Sequence, residues 1–340
     1  MRDYKFDNIR FVLIFLVVLG HFIAPAPSVK LDLLNEFIYT FHMPVFVFIS
    51  GYFAKFDTQR VTRTYLYSYV MMQIFYFFFL KYYMGNINTK FSLSIPYYTL
   101  WYLFAMVIYT MIIPLIQTES KNKKLIILLI SLCISLFAGV EESMGYLFAA
   151  ARTFAFLPFF VLGYYCRTSP VTQKLNALKA NEKVILGFGI AAILAAIQFF
   201  IIKSPLIAPN DMTATTPYIH TQWGWKARAV MIIASVLWIA FFLIATPSKK
   251  IPIISNIGAN TFPVYILHGV AVKIFVKNNI PQLDTKLYFV LAIATSLAVL
   301  VILGNKKSAK IIKMIFTGQW IGIVEKLAKP EQKVEQKIEQ

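Results

Sequence analysis

The sequence predicts an all-α integral membrane protein of about ten transmembrane helices with both termini in the cytoplasm, and three observations lead there. Of the 340 residues, 59% are hydrophobic and only 14% charged, with mean hydropathy +0.66. A soluble domain is nearer half apolar and a quarter charged. The apolar residues gather in blocks of about 17–22, the length that crosses a hydrocarbon core about 30 Å thick. The basic residues then alternate along the connections. Counted over short connections and tails, 23 Lys and Arg fall on the side that holds both termini and 6 on the other. Positive connections stay inside, and termini that share a side require an even number of spans.

The net charge of +18 would suggest nucleic acid in a soluble chain. Here the positive-inside signal and attraction to anionic lipid account for it, so membrane lipids are the expected partner and nucleic acid is not.

The first span, 8–24, directly follows Arg2, Lys5 and Arg10 with no small-residue cleavage site behind it. It is expected to be a retained helix, not a signal peptide, with Asp7 suited to its N-cap. Residues 25–36 open with PAPS and read as an irregular outer connection. The next spans are 37–54, 64–83, 98–117, 123–140 and 148–166. Then come 184–202, 225–246, 261–277 and 286–304. The outer connection 203–224 has three prolines, polar residues and aromatics, the kind of irregular exposed segment that often contacts ligands. Residues 1–305 thus form one transmembrane domain and 306–340 a basic cytoplasmic tail. Within the tail, 308–328 mixes Ile, Phe and Trp320 with lysines, which suits an amphipathic helix on the inner leaflet. A loosely ordered basic tail is the alternative. The charged, low-complexity stretch 330–340 is expected to be disordered.

None of the fifteen Asp and Glu residues falls in the middle of a span. Proton- and sodium-coupled transporters usually carry carboxylates there, so the pattern argues against one. The polar groups at membrane depth are His21, Arg152, His268, Lys273, Gln73 and Gln198. A basic lining suits an anionic guest such as a nucleotide or phosphate. Cys133 and Cys166 both lie in apolar segments without CxxC spacing or clustered histidines, so neither a metal site nor a disulfide is expected.

The first span reads DNIRFVLIFLVVLGHF. Arg10 stands at its cytoplasmic end and His21 eleven residues on, three turns plus about 20°, so the two share a face separated by a rise of about 16 Å. Arg10 taken alone reads as a flanking residue that snorkels to the interface. His21 is harder to explain by packing, because ionisable groups inside spans are functional by default.

R-x10-H on the first helix resembles the signature of the membrane acyltransferase-3 family, whose members O-acylate sugars and other acceptors from acyl-CoA. The stretch YTFHMPVFVFISGYF (39–53) resembles the family's second-helix motif. LWYL (100–103), RTFAFLPFFVLGYY (152–165) and TFPVYILHG (261–269) match in order, the last two being similar to the branch described as fucose 4-O-acetylase-like. The resemblance covers about residues 4–305. It implies an O-acetyltransferase of a bacterial inner membrane that uses acetyl-CoA as co-substrate, with no permanently bound cofactor. The acceptor would be an extracytoplasmic or lipid-linked glycan, and glycan-synthesis machinery a partner. The chain shows no added esterase-like soluble domain, so transfer is expected to be completed by the membrane domain or by a separate protein.

The chemistry fits the residues. A sugar hydroxyl needs a base to take its proton, and neutral imidazole suits that at pH 7. His21 is therefore the expected general base, with an acyl-imidazole route also open. The phosphates of CoA need cations at the cytoplasmic mouth, for which Arg is the best fork. Arg10 is the first candidate, and Arg60 and Arg63 resemble the family's basic motif at the third span. Arg152 is a candidate to polarise the thioester or bind the acceptor, or equally a structural partner of Glu141 or Glu142. His42 is a candidate from its motif, or a packed and hydrogen-bonded histidine. His268 closes its motif toward the outer side, where an acceptor would arrive. Ser50 and Gly51 read as packing residues, Trp101 and Tyr102 as belt or packing aromatics, and His220 as a plain loop histidine. Two rivals from other classes stay open: a transporter or flippase for a glycan or lipid, and a non-catalytic subunit of a glycan export complex.

Overall fold

The computed structural model describes residues 4–97, 99–141, 147–204, 217–278 and 282–320, and among these every regular element is helical. Six helical segments are long and apolar enough to cross a membrane: Tyr4–Ile23, Val29–Tyr52, Leu147–Cys166, Ala180–Ile201, Trp225–Ala245 and Thr285–Gly304. A seventh arises if Pro252–Gly258 and Thr261–Lys277, bent by 79°, form one broken span. The remaining expected spans also coincide with helices, but these are short or interrupted. The run 58–83 is π-helical over Val61–Leu66 and Phe79–Tyr83. Trp101–Met111 is broken from Ile113–Ile116 near Pro114, and Lys121–Phe137 has 17 residues.

In chain order the elements are α1 (Tyr4–Ile23), α2 (Val29–Tyr39), α3 (His42–Tyr52), α4 (58–83), α5 (Trp101–Met111), α6 (Lys121–Phe137), α7 (Ala150–Cys166), α8 (Pro170–Ala177), α9 (Ala180–Lys203), α10 (Trp225–Ala245), α11 (Pro252–Gly258), α12 (Thr261–Lys277), α13 (Thr285–Gly304) and α14 (Lys306–Phe316).

Helix α1 is central. Phe6, Ile9 and Leu13 belong to a core shared with α3, α5, α7 and α10. Ile14, Val18, Phe22 and Ile23 belong to a second core shared with α12 and α13. Its start is pinned by polar contacts. Lys5 Nζ donates to the Leu243 carbonyl at 2.9 Å, Asn8 Nδ2 to Pro247 O at 2.9 Å, and Ser255 Oγ to Asn8 Oδ1 at 2.7 Å. Asp7 is not the N-cap. The helix already runs at Tyr4, and Asp7 lies in its first turn, paired with Arg10 at 3.5 Å.

Helices α3 and α7 cross at glycines. A Cβ on Gly51 would meet the Phe160 carbonyl, and one on Gly163 the Phe48 carbonyl. Small residues let backbones approach closely where lipid gives no hydrophobic drive. At the periphery, large side chains on α6 (Leu125, Leu129), α9 (Ile185, Phe188) and α13 (Val290, Val301) are exposed. So many exposed apolar groups suit contact with acyl chains.

Several expected connections are helical. Residues 25–36 are irregular only to Ser28, because Leu31 and Ile38, two turns apart, bury one face of α2. The expected span 37–54 is interrupted at Thr40 and Phe41. Ser235 Oγ donates to Thr40 O at 3.1 Å, satisfying a carbonyl at the break, and Gln198 Nε2 donates to the Thr40 side chain, Oγ1, at 2.6 Å. The connections 167–183 and 247–260 contain α8 and α11. In the tail, α14 packs Ile312 and Phe316 against α4, and Ser68 donates to the Phe316 carbonyl. Residues 321–340 and most of 203–224 lie outside the described residues.

Candidate active site

A cavity of about 880 Å³ opens between α1, α3, α4, α5, α7, α12 and the C-terminal segment. Helix α1 lines it with Arg10, Ile14, Val17 and His21, and the chain beyond it with Ala24 and Pro25. The spacing of four, three and four residues keeps one stripe of the helix on the cavity. From Arg10 to His21 this stripe rises about 16 Å, so the cavity follows more than half the length of α1.

The two ends differ in chemistry. Around Arg10 stand Lys55 and Arg60, with Lys313, Thr317 and Gln319 contributed by the C-terminal segment. The Arg10 guanidinium pairs with Asp7 and lies over the Phe53 ring at 4.7 Å. Arg60 lies 5.7 Å over the Tyr65 ring at the π-helical start of α4. Arg63 is exposed and does not line the cavity.

Around His21 gather three further basic side chains, His268, His42 and Arg152, all within its electrostatic reach. The rings of His21 and His268 are 5.2 Å apart, tilted by 31°. His268 is fully buried, and its Nδ1 lies 2.7 Å from Tyr265 O and 3.1 Å from Val264 O. Two carbonyls can only accept, so Nδ1 carries the hydrogen and Nε2 is a bare acceptor. That Nε2 is buried with no hydrogen-bond partner among the described residues. His42 is fixed in the same way, Nδ1 donating to Ile38 O at 2.8 Å. Arg152 lies 5.8 Å over the Trp101 ring, three residues beyond the end of a left-handed turn at Phe148 and Ala149 (φ 51° and 49°). For non-glycine residues such a turn is uncommon and strained. Of its alternative partners, Glu142 lies outside the described residues.

Trp101 and Tyr102 also line the cavity, and Tyr102 Oη shares a hydrogen with Ser50 Oγ. Both aromatics therefore face the site and not lipid. The glutamines at membrane depth do not line it. Gln73 Nε2 donates to Ser92 O at 2.7 Å and Ile95 O at 2.9 Å, holding the loop before α5, and Gln198 donates to the Thr40 side chain.

Sequence reasoning missed that Lys313, Thr317 and Gln319 line the cavity, because periodicity assigns the tail to a lipid surface and cannot show what it covers. Lys273, which the sequence singles out as a polar group at membrane depth, also lines the cavity, five residues after His268. Among the described residues the lining holds six Lys or Arg residues, three His and no carboxylate. Among the described residues, no group of three His, Cys, Asp or Glu side chains could hold a metal ion.

No curated protein and no solved structure is found to match the chain. A family model does, the acyltransferase domain of the acyltransferase-3 family, over residues 3–305. That match spans α1 to α13 and every cavity-lining residue except those of the C-terminal segment, and with the long apolar helices it describes a multi-pass membrane acyltransferase. The chain belongs to the acyltransferase-3 family.

Proposed function

We propose that this protein is an O-acetyltransferase of a bacterial cytoplasmic membrane. It takes acetyl from cytoplasmic acetyl-CoA and delivers it to a hydroxyl of a glycan or lipid-linked sugar at the outer half of the bilayer. It crosses the membrane ten times, with both termini in the cytoplasm. The observation that carries the reading is the cavity along α1 that joins a cationic mouth to a cluster of imidazoles, with no carboxylate among its described lining residues. Arg10 and Arg60 hold the donor's pyrophosphate as charge-assisted forks. The pantetheine arm extends along the Ile14 and Val17 stripe, which brings the thioester to His21.

There His21 takes the proton of the acceptor hydroxyl as its oxygen attacks the thioester carbonyl. Arg152 faces the same region of the cavity and stabilises the oxyanion that forms. Collapse of this intermediate expels the CoA thiolate and leaves the ester. His268, its tautomer set by two carbonyls, presents Nε2 to accept from His21 or from the entering hydroxyl. The same basic lining, with no acid among its described residues, disfavours a cation-coupled transporter.

The test uses purified protein in nanodiscs, acetyl-CoA labelled in the acetyl group, and a panel of free and lipid-linked glycans. The expected result is label in ester linkage to at least one glycan, with stoichiometric release of CoA thiol. Movement of a glycan across the bilayer without acetylation would favour the flippase reading. Binding of neither donor nor glycan would favour a non-catalytic subunit.

A further inference from the structure

Beside the cationic mouth lies a second pocket, of about 540 Å³. Its walls include Lys250, Asn256 and Asn260 from the segment between α10 and α12, and Lys306, Lys310 and Lys313 from α14. The three α14 lysines are spaced i, i+4, i+7 and so form one stripe. Lys307, between them in sequence, is exposed and does not line the pocket. Among the described residues the lining contains no carboxylate and none of the four lysines forms an ion pair. Like charges gathered around one hollow repel unless an anion sits among them. Lys313 is half-buried, donates to Asn260 Oδ1 at 3.3 Å, and borders both this pocket and the main cavity, as does Gln319.

We propose that this lysine pocket is a binding site for a phosphate monoester. Compact ammonium charges with amide groups between them match a dianion with three acceptor oxygens. Burial pushes the Lys313 pKa down, a cost that a neighbouring phosphate offsets. The pocket adjoins the mouth where the donor's pyrophosphate is proposed to sit. On that reading the group is the ribose 3′-phosphate of acyl-CoA, and this identity, though not the pocket, rests on the donor assignment. The other source of the same chemistry is the headgroup of phosphatidate in the inner leaflet.

The variant is Lys306→Gln/Lys310→Gln, two exposed positions where folding is not at stake. In the donor arm, acetyl-CoA and its 3′-dephospho form are titrated into protein in phosphatidylcholine nanodiscs. The wild type is expected to prefer acetyl-CoA by about 10–100-fold. The variant is expected to lose most of that preference while binding the dephospho form unchanged. In the lipid arm, the melting temperature is compared with and without phosphatidate. If phosphatidate stabilises only the wild type and donor preference survives in the variant, the phosphate is the lipid's. A variant that matches the wild type in both arms, or that weakens both donors equally, overturns the site. If the lysines control donor preference but no acetyl is transferred, the pocket stands and the acetyltransferase reading fails. If acetyl is transferred and the lysines are silent in both arms, the acetyltransferase reading stands and the pocket fails.

Discussion

Arg10 and His21 share a stripe because eleven residues make nearly three whole turns, and the cavity follows that stripe. Their proposed roles separate kinetically. Arg10→Ala is expected to raise the KM for acetyl-CoA by about 1.5–3 kcal/mol of lost charge-assisted contact with little change in kcat. Lysine at position 10 should rescue only part of it, since an ammonium lacks the fork. Arg60 and Arg63 look equivalent in sequence, yet only Arg60 lines the cavity. Donor KM should therefore respond to Arg60→Ala and not to Arg63→Ala, and equal responses would contradict the geometry. His21→Gln keeps hydrogen bonding but cannot take a proton, so kcat should fall about 10²–10⁴-fold with donor binding intact. Near-wild-type turnover would make His21 a packing residue. His268 was legible as a motif histidine, whereas its fixed tautomer was not, because that depends on carbonyls of its own helix turned toward it.

Elements were legible where an apolar block stood alone and less so where local chemistry sets the breaks. The PAPS stretch hides that VKLDLLNEFIY carries a buried stripe at Leu31 and Ile38. FHMP conceals a helix break at which Thr40 is hydrogen-bonded from α9 and α10, partners remote in sequence. The packing role read for Gly51 in the sequence agrees with its close approach to α7. A methyl there must push α3 from α7, because its nearest neighbour is backbone and not a flexible side chain. Gly51→Ala and Gly163→Ala should each cost about 1–3 kcal/mol, read as a lower melting temperature in detergent. Unchanged melting of both variants would mean that the crossing is looser than described. Ser50, on α3, would shift with it and carry the effect into the cavity through its hydrogen bond to Tyr102 of α5.

For the molecule as a whole, composition and charge order made the membrane bundle legible. Six helical segments are long and apolar enough to cross a membrane, seven with the bent pair, and the proposed count of ten adds helices that are short, broken or π-helical. The proposed sidedness is open to labelling in intact cells on a Cys133→Ser, Cys166→Ser background. An impermeant thiol reagent should modify His220→Cys and spare Gln173→Cys, and the opposite pattern would invert the topology. The mouth formed by α14 was the least legible feature, because a basic amphipathic helix satisfies a lipid surface and a protein groove equally well by pattern alone. The central claim is that one cavity passes acetyl from a donor held on one side of the membrane to an acceptor on the other. Sided proteoliposomes test it most directly. Labelled acetyl-CoA is sealed on the side of the Arg10 mouth, and a glycan acetylated in the nanodisc panel is supplied only on the opposite side. The account predicts label on the outside glycan with the CoA retained inside, abolished by His21→Gln. Transfer that occurs only when donor and glycan share a compartment would contradict it.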